Sequence, residues 1–123
     1  MAERRTVAFP KRGEVYLVSL DPTVGAEIRK TRPALVLQNN VANRHSPVTI
    51  VAAITSRFEK PLYPTEVLLP AGEGGLEVNS VVLLNQVRTV DRLRLIQRLG
   101  TLKPETMKRV NQALRISMGL AEV

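Results

Sequence analysis

The feature that most constrains the fold of this chain is a series of short apolar runs separated by turn-forming residues. Helical periodicity is present only near the C-terminus. Gly, Pro and Asn residues lie between these runs and limit their length. The pattern predicts several short β-strands followed by one helix, which indicates a small α+β barrel rather than alternating βαβ units. The predicted strands are Glu14–Leu20, Ala34–Gln38, Val48–Ile54, Thr65–Leu69 and Ser80–Asn85.

Breaker residues set the boundaries of the first strands. The stretch Asp21–Thr31 contains Pro and Gly and is predicted to be a loop. Pro33 lacks an N–H and disfavours helix at the preceding residue, so the second strand is expected to begin near Ala34. Asn43–Pro47 is predicted to be a polar connection. The next run, Val48–Ile54, is nearly continuous in apolar residues, as expected of a central strand covered on both faces.

The C-terminal part of the chain changes from strand to helix. The basic segment Asp91–Arg98 is expected to hold a helical turn and then a short strand to Leu102. Pro104 suits the first position of a closing helix. One apolar stripe at spacings of three and four, typical of a core or dimer face, is formed by Met107, Val110, Leu114, Met118 and Ala121.

Length and cysteine content limit the class of protein. The 123 residues with 44% hydrophobic content are enough for one compact domain, here residues 11–123, preceded by a loose basic arm, residues 1–10. The absence of cysteine excludes disulfides, thiolate metal sites and cysteine nucleophiles. No segment has the length of a membrane span or the apolar core of a signal peptide, so a cytoplasmic protein is expected.

The charge balance indicates a polyanionic partner. The net charge is +7, and most of the 18 basic residues are arginines, whose planar fork matches phosphate. Nucleic acid is the first candidate, and solubility or an acidic protein partner are the alternatives. Only 3% of residues are aromatic, which argues against a platform for stacking bases.

Polar side chains at the ends of two apolar strands are candidates for phosphate chemistry. Arg32 precedes the second strand, and Thr55, Ser56 and Arg57 follow the third. A guanidinium and hydroxyls at adjacent strand ends can bind a phosphodiester without metal or cofactor. The alternatives are a surface arginine and an ordinary β-branched strand residue.

Further polar residues have weaker signals. Gln86, Arg88 and Asp91 follow the fifth strand and suit either contact with RNA or an exposed turn in which Asp91 caps a helix. Glu27 is a loop carboxylate. His45 is the only histidine, so a pair of histidines as acid and base is excluded. It is predicted to be a solvated loop residue.

Five ordered blocks resemble the MazF/PemK-type toxins of bacterial type II toxin–antitoxin systems. The similarity runs from about Lys11 to Leu120 and therefore covers nearly the whole chain. The blocks are Gly13–Tyr16, Leu20–Gly25, Arg32–Val36, Ala53–Ser56 and Leu84–Asp91.

The resemblance implies a small SH3-like β-barrel with a C-terminal helix, and an endoribonuclease that cuts single-stranded RNA, often mRNA, without metal. In such toxins the catalytic arginine and threonine correspond to Arg32 and Thr55. Attack by the 2′-hydroxyl would leave 2′,3′-cyclic phosphate and 5′-hydroxyl ends. No cofactor is expected. The residues predicted to bind substrate are Glu27, Ser56, Arg57, Gln86 and Arg88.

The resemblance also implies partners. These toxins form homodimers and bind an antitoxin whose acidic C-terminal tail occupies the RNA groove. An alternative is a CcdB-type poison of DNA gyrase on the same fold, although such toxins commonly end in a Trp that this chain lacks. Some relatives use an Arg-x-Asp pair as acid and base, but the spacing from Arg88 to Asp91 differs, so no such role is assigned to Asp91.

Overall fold

A computed structural model describes residues 9–27 and 30–123 of the chain. Within this part, six strands form one antiparallel sheet in the order β4-β5-β3-β2-β1-β6. A C-terminal helix packs against β4 and β5, so the predicted α+β class is confirmed. The bounds are β1 Glu14–Ser19, β2 Thr31–Val36, α1 Asn40–His45, β3 Val48–Thr55, β4 Glu66–Leu69, β5 Ser80–Asp91, β6 Leu95–Thr101 and α2 Pro104–Ser117.

The central strands β2 and β3 bury side chains on both faces of the sheet. Successive residues of a strand point to opposite faces, so the two strands contribute to two hydrophobic clusters. The cluster on the α2 side includes Leu35, Ala52, Ile54, Val110 and Ala113. The cluster on the opposite face includes Val18, Ala34, Val36, Val51, Ala53 and Val90. The prediction that Val48–Ile54 is covered on both faces is therefore confirmed.

A close backbone contact links the two ends of the sheet. The 3₁₀ turn Glu73–Gly75, which follows the edge strand β4, packs against the other edge strand, β6. A Cβ at Gly75 would lie 1.9 Å from the carbonyl oxygen of Leu99, and one at Gly100 would lie 2.5 Å from the carbonyl carbon of Gly74. Only residues without a side chain permit this approach, which rolls the sheet toward a barrel.

The second strand begins earlier than its proline suggests. β2 starts at Thr31 rather than near Ala34, and Pro33 lies within it, opposite Leu17 of β1. The ladder between β2 and β3 begins only at Ala34. Pro33 therefore lies where β2 has β1 as its only paired strand, and the missing N–H removes no bond to β3.

A short helix replaces most of the predicted polar connection Asn43–Pro47. The Asn39 side chain caps α1 by accepting a hydrogen bond of 2.8 Å from the Ala42 N–H. Asn43 is fully buried, and its Oδ1 accepts hydrogen bonds from Gln38 Nε2 and Thr49 Oγ1 at 2.9 and 2.7 Å. These bonds attach α1 to β3, which the polar composition alone did not reveal.

The long strand β5 corrects a second boundary. It continues to Asp91, so Gln86, Arg88 and Asp91 belong to the strand rather than to a turn after it. Val87 to Asp91 pair with β3 from Ala52 to Val48, and this pairing extends the strand past its polar residues. The expected helical turn is present at Arg92–Arg94, where Asp91 Oδ1 accepts a hydrogen bond from the Leu93 N–H.

The C-terminal helix begins at Pro104 as predicted. Met107, Val110 and Leu114 pack on the core, whereas Met118 is 53% exposed and follows the end of α2. Ala121 also lies beyond the helix, so the apolar stripe belongs to the core only in its first part. No helix in the described ranges has the length and apolarity needed to cross a bilayer.

Most of the predicted N-terminal arm, residues 1–10, lies outside the described residues. Its last two residues are packed: Pro10 is buried, and the guanidinium carbon of Arg92 lies 4.8 Å from the centre of the Phe9 ring. This distance is within the range of a cation–π contact.

Candidate functional site

Arg32 near the start of β2 and Thr55 at the end of β3 lie at the same end of two neighbouring strands. The ladder between these strands begins where Ala34 pairs with Ala53, two residues from Arg32 and two from Thr55. The fold therefore brings the predicted catalytic arginine and threonine to one end of the sheet.

A small cavity lies beside Arg32. It measures about 280 Å³, and both Arg32 and Ser56 line it, together with Gly75 from the 3₁₀ turn and Leu99 from β6. The half-buried Arg32 is thus held at a point where the rolled sheet brings β2, β6 and the Glu73–Gly75 turn together. Ser56, by contrast, is exposed.

The Thr55 hydroxyl is engaged in a local turn. Its Oγ1 accepts a hydrogen bond of 3.1 Å from the Arg57 N–H and donates one of 3.3 Å to the Arg57 carbonyl. Only 9% of Thr55 is exposed, while Arg57 itself is exposed. A hydroxyl has one donor and two acceptor positions, so the donor of Thr55 is used by the longer of these two bonds and one acceptor position is left over.

A larger cavity of about 560 Å³ contains three of the residues predicted to bind substrate. Val51 and Ala53 of β3 line it, Gln86 and Arg88 approach from β5, and Glu27 approaches from the loop between β1 and β2. Ala53 is two residues from Thr55, so Thr55 and this cavity lie on the same side of the sheet.

Hydrogen bonds fix the polar groups of this larger cavity. Arg88 Nη1 donates to the Leu20 carbonyl at 2.7 Å, and Glu27 Oε1 accepts from the Val24 N–H at 2.6 Å. Gln86 Nε2 lies 3.5 Å from the Ala26 carbonyl across the cavity. A guanidinium has five N–H donors, so the bond to Leu20 leaves Arg88 with capacity for a phosphate or a base.

The predicted site residues are thus distributed around two cavities. Arg32 and Ser56 line the small one, and Glu27, Gln86 and Arg88 line the large one, whereas Thr55 and Arg57 are absent from both linings. His45 is exposed, as predicted, but it is the last residue of α1 rather than a loop residue, because α1 replaces that part of the predicted connection. In the described part of the chain, no three His, Asp or Glu side chains converge as a metal site would require.

The sequence did not single out Arg94, which contacts the loop near the large cavity. Its Nη1 donates to the Ser19 carbonyl at 3.2 Å and also to the Asp21 carbonyl. Arg94 follows the Asp91 cap within a basic segment, and nothing in that local pattern distinguishes it from the neighbouring arginines.

A separate polar network lies on β1 and β6. Tyr16 Oη donates to Glu14 Oε1 at 3.2 Å, and Arg98 Nε lies 2.8 Å from Glu14 Oε2. Partial burial first, and the adjacent Glu14 carboxylate second, raise the pKa of Tyr16 above the ordinary value of 10.0. This network joins the two strands and includes none of the predicted site residues.

Comparison with known proteins gives consistent matches over nearly the full length. A family model described as PemK-like, MazF-like toxin of type II toxin–antitoxin system matches residues 11–118. Endoribonuclease EndoA of Bacillus subtilis (strain 168) is 46% identical over 112 residues, which covers 91% of this chain and 97% of that protein.

Solved structures share the fold. The crystal structure of MazF from Deinococcus radiodurans superposes with a TM-score of 0.79 at 31% identity, covering 92% of this chain and 99% of that one. An endoribonuclease from a Mycobacterial species, solved in complex with its cognate antitoxin, has a TM-score of 0.76 at 27% identity, with coverages of 93% and 99%. The fold and length of the chain therefore agree with those of these proteins.

Proposed function

Because the chain belongs to the PemK-like, MazF-like toxins of type II toxin–antitoxin systems, we propose that it cleaves single-stranded RNA at a short sequence without a metal ion. The similarity to endoribonuclease EndoA supports RNA as the substrate and favours a nuclease over a poison of DNA gyrase. The observation that supports the proposal is that Arg32 and Thr55 lie at the same end of the neighbouring strands β2 and β3.

The proposed reaction uses the 2′-hydroxyl of the RNA as nucleophile. The 2′-hydroxyl gives its proton to a base, to which no residue is assigned, as its oxygen attacks the neighbouring phosphorus. The bond from phosphorus to the 5′-oxygen breaks and the 5′-oxygen takes a proton, so the reaction consumes no net proton. The products are a 2′,3′-cyclic phosphate and a 5′-hydroxyl, and DNA is spared because it lacks the attacking group. The enzyme's task is to stabilise the charge that develops on the phosphorane oxygens.

Arg32 suits this stabilising task. A guanidinium remains charged at any ordinary pH, so it binds the developing charge well and is a poor general base. One such donor contributes about 3–4 kcal/mol to the transition state in comparable sites. Arg32 is also the candidate acid for the leaving 5′-oxygen. Thr55, with Ser56 and Arg57 beside it, would hydrogen-bond the same phosphate.

The larger cavity suits the nucleotides next to the cleaved bond. Arg88 supplies a cation and Gln86 an amide, while Glu27 supplies a carboxylate that can accept hydrogen bonds from bases. These three residues are therefore proposed to bind substrate rather than to act on the phosphorus.

A cognate antitoxin with an acidic C-terminal tail is the proposed protein partner. The Mycobacterial endoribonuclease was solved with its cognate antitoxin, and the net charge of +7 here favours an acidic segment in the same groove as RNA. A homodimer is proposed on family membership and is tested by sedimentation equilibrium, where a mass of one chain would contradict it.

The test is cleavage of a long single-stranded RNA in EDTA by the wild-type protein and by Arg32→Ala. We expect discrete cuts ending in cyclic phosphate for the wild type, and a loss of cleavage of about 100-fold or more for the variant. Cut ends are mapped by primer extension. A cyclic phosphate is detected as a 3′ end that alkaline phosphatase removes only after acid has opened the ring, whereas a linear 3′-phosphate is removed directly.

Arg44→Ala is the matched control, since Arg44 is an exposed arginine in α1, at the other end of β2. It should retain nearly full cleavage. Uncut RNA with the wild-type protein would contradict the proposed function, and full activity of Arg32→Ala with an unchanged melting temperature would contradict the role of Arg32.

A further inference from the structure

Arginine side chains bind three consecutive backbone carbonyls at the end of β1. Arg94 Nη1 donates to the carbonyls of Ser19 and Asp21, and Arg88 Nη1 donates to the Leu20 carbonyl between them. The two arginines are distant in sequence from these acceptors, so the arrangement depends on the tertiary fold.

The end of a sheet explains why these carbonyls accept from side chains. The ladder between β1 and β6 ends at Val18, and the ladder between β1 and β2 ends at Ser19. Ser19 is half-buried and Leu20 is buried, and backbone groups in such positions are nearly always hydrogen-bonded. Asp21 is exposed, so its bond to Arg94 is an additional contact that holds the same segment. On the other side of the loop, Lys30 N donates to Asp21 Oδ1 at 2.9 Å and Leu20 N donates to the Lys30 carbonyl at 3.0 Å.

The chain that follows these carbonyls forms one wall of the large cavity. We call Leu20, Pro22, Ala26 and Glu27 the loop wall, because all four line that cavity from the segment after β1. The opposite wall, Asn85 to Arg88, belongs to β5, in which Val87 and Arg88 pair with β3. The position of residues 19–21 therefore sets the distance between the two walls.

We infer that Arg94 is a positioning residue that fixes the loop wall and thereby sets the affinity for RNA. This inference rests on the proposed function, because it assigns the large cavity to substrate. Arg94 does not line the cavity; it acts through the carbonyls of Ser19 and Asp21. Arg88 has a second role, since it lines the cavity and also bonds to Leu20.

Loss of this positioning should affect substrate binding more than the chemical step. The loop wall contacts nucleotides beside the cleaved bond, so its contacts are alike in the ground state and the transition state. Removal of such uniform binding raises KM and leaves kcat unchanged.

The test compares Arg94→Lys and Arg94→Gln with the wild type. Lysine keeps the charge, but its compact, strongly hydrated ammonium does not reproduce the guanidinium fork. We expect both variants to raise KM about tenfold, the loss typical of one charged hydrogen bond, with kcat within about twofold. The probe is a fluorophore–quencher RNA oligonucleotide that contains a cut site mapped with the wild-type protein.

Salt dependence separates positioning from simple charge attraction. If Arg94 acted only by attracting RNA through its charge, Arg94→Lys would have the KM of the wild type. Arg94→Gln alone would then change the salt dependence, and the slope of log KM against log salt would fall by about 0.7, the value for one phosphate contact. That result would overturn the inference. A lower melting temperature with unchanged KM would overturn it as well, by leaving Arg94 a purely structural role.

Amide hydrogen exchange tests the positioning without RNA. Peptides that cover residues 19–27 should exchange faster in Arg94→Lys, whereas Arg44→Lys should leave them unchanged. Unchanged exchange in Arg94→Lys would refute the positioning itself. A wild-type protein that leaves RNA intact would instead refute the proposed function, so the two failures are distinguishable.

Discussion

At the residue scale, Thr55 combines a local structural bond with the proposed contact to phosphate. Its hydroxyl bonds the backbone of Arg57, which fixes its rotamer, and it lies at the same end of the sheet as Arg32. A side chain that is already ordered loses little conformational entropy when it binds substrate. The same bonds also mean that removal of the hydroxyl leaves the Arg57 N–H without this acceptor.

Replacement of Thr55 tests the hydroxyl directly. Thr55→Val keeps the shape of the side chain and should lower kcat by about 100-fold, because one hydrogen bond to the transition state is lost. Thr55→Ser keeps the hydroxyl and should stay within a few-fold of the wild type. The measurement is kcat on the mapped oligonucleotide. Equal activity of the valine and serine variants would contradict a role for the hydroxyl.

The pKa of Tyr16 makes stability depend on pH. Because burial and Glu14 raise the folded-state pKa above 10.0, the contribution of Tyr16 to stability is complete below pH 10 and is lost as pH rises through the folded-state pKa. Above pH 10 the unfolded chain releases this proton first, so the free energy of unfolding falls.

Tyr16→Phe removes this titration. At pH 8 we expect the variant to be less stable by about 1 kcal/mol, since one hydrogen bond to Glu14 is lost. The difference from the wild type should shrink above pH 10. Urea unfolding at a series of pH values measures it, and Tyr63→Phe, at a position 72% exposed, controls for loss of a tyrosine hydroxyl. A constant difference across the series would contradict the expectation.

At the element scale, the contact between the Glu73–Gly75 turn and β6 holds the rolled sheet. Its two glycines are required for different reasons. Gly75 has a φ of +76°, a backbone conformation that favours glycine, whereas Gly100 has no positive φ and lacks room for a Cβ because the backbone of Gly74 lies against it. The small cavity beside Arg32 is lined by this same turn and by β6. Closure of the sheet and the environment of Arg32 therefore depend on one contact.

Alanine at Gly100 should destabilise the protein more than alanine at Gly119. A Cβ at Gly100 would overlap the backbone of Gly74, and such overpacking costs about 3 kcal/mol. Gly119 has a φ of +76° and no atom within 4 Å of its added Cβ, so only backbone strain of about 1 kcal/mol is expected. Denaturant unfolding compares the two, and equal losses would contradict the close approach.

Element boundaries were predicted well where local pattern decided them. Pro104 correctly marked the start of α2, and the apolar run that became β3 was placed within one residue of its end. β5 was predicted too short, because its polar half pairs with β3 over Val48 to Ala52. Pairing between strands distant in sequence outweighed the local signal for a turn.

At the scale of the whole molecule, net charge governs association with RNA. The chain carries +7, and arginines line or adjoin both cavities. Binding of a polyanion to such a surface releases counterions, so affinity falls with salt.

Salt should therefore raise KM steeply while leaving the fold intact. Between about 50 and 200 mM salt we expect log KM to rise with log salt at a slope of about 0.7 per phosphate contacted. The melting temperature over the same range is the control. A KM independent of salt would contradict binding through phosphate contacts, whatever the specificity for bases.

The sequence by itself determined most of the strands, the closing helix and the family, and it predicted Arg32 and Thr55 as the catalytic pair. Strand periodicity, helix- and strand-breaking residues and the family blocks each lie within a few consecutive residues, so they can be recognised from the sequence without coordinates. The structure was needed to show that Glu27 meets Gln86 and Arg88 in one cavity, and that Arg94 binds the end of β1. Those contacts join residues about 60 or more positions apart. They depend on the register of the sheet and on its closure at Gly75 and Gly100, which are set by packing across the whole molecule.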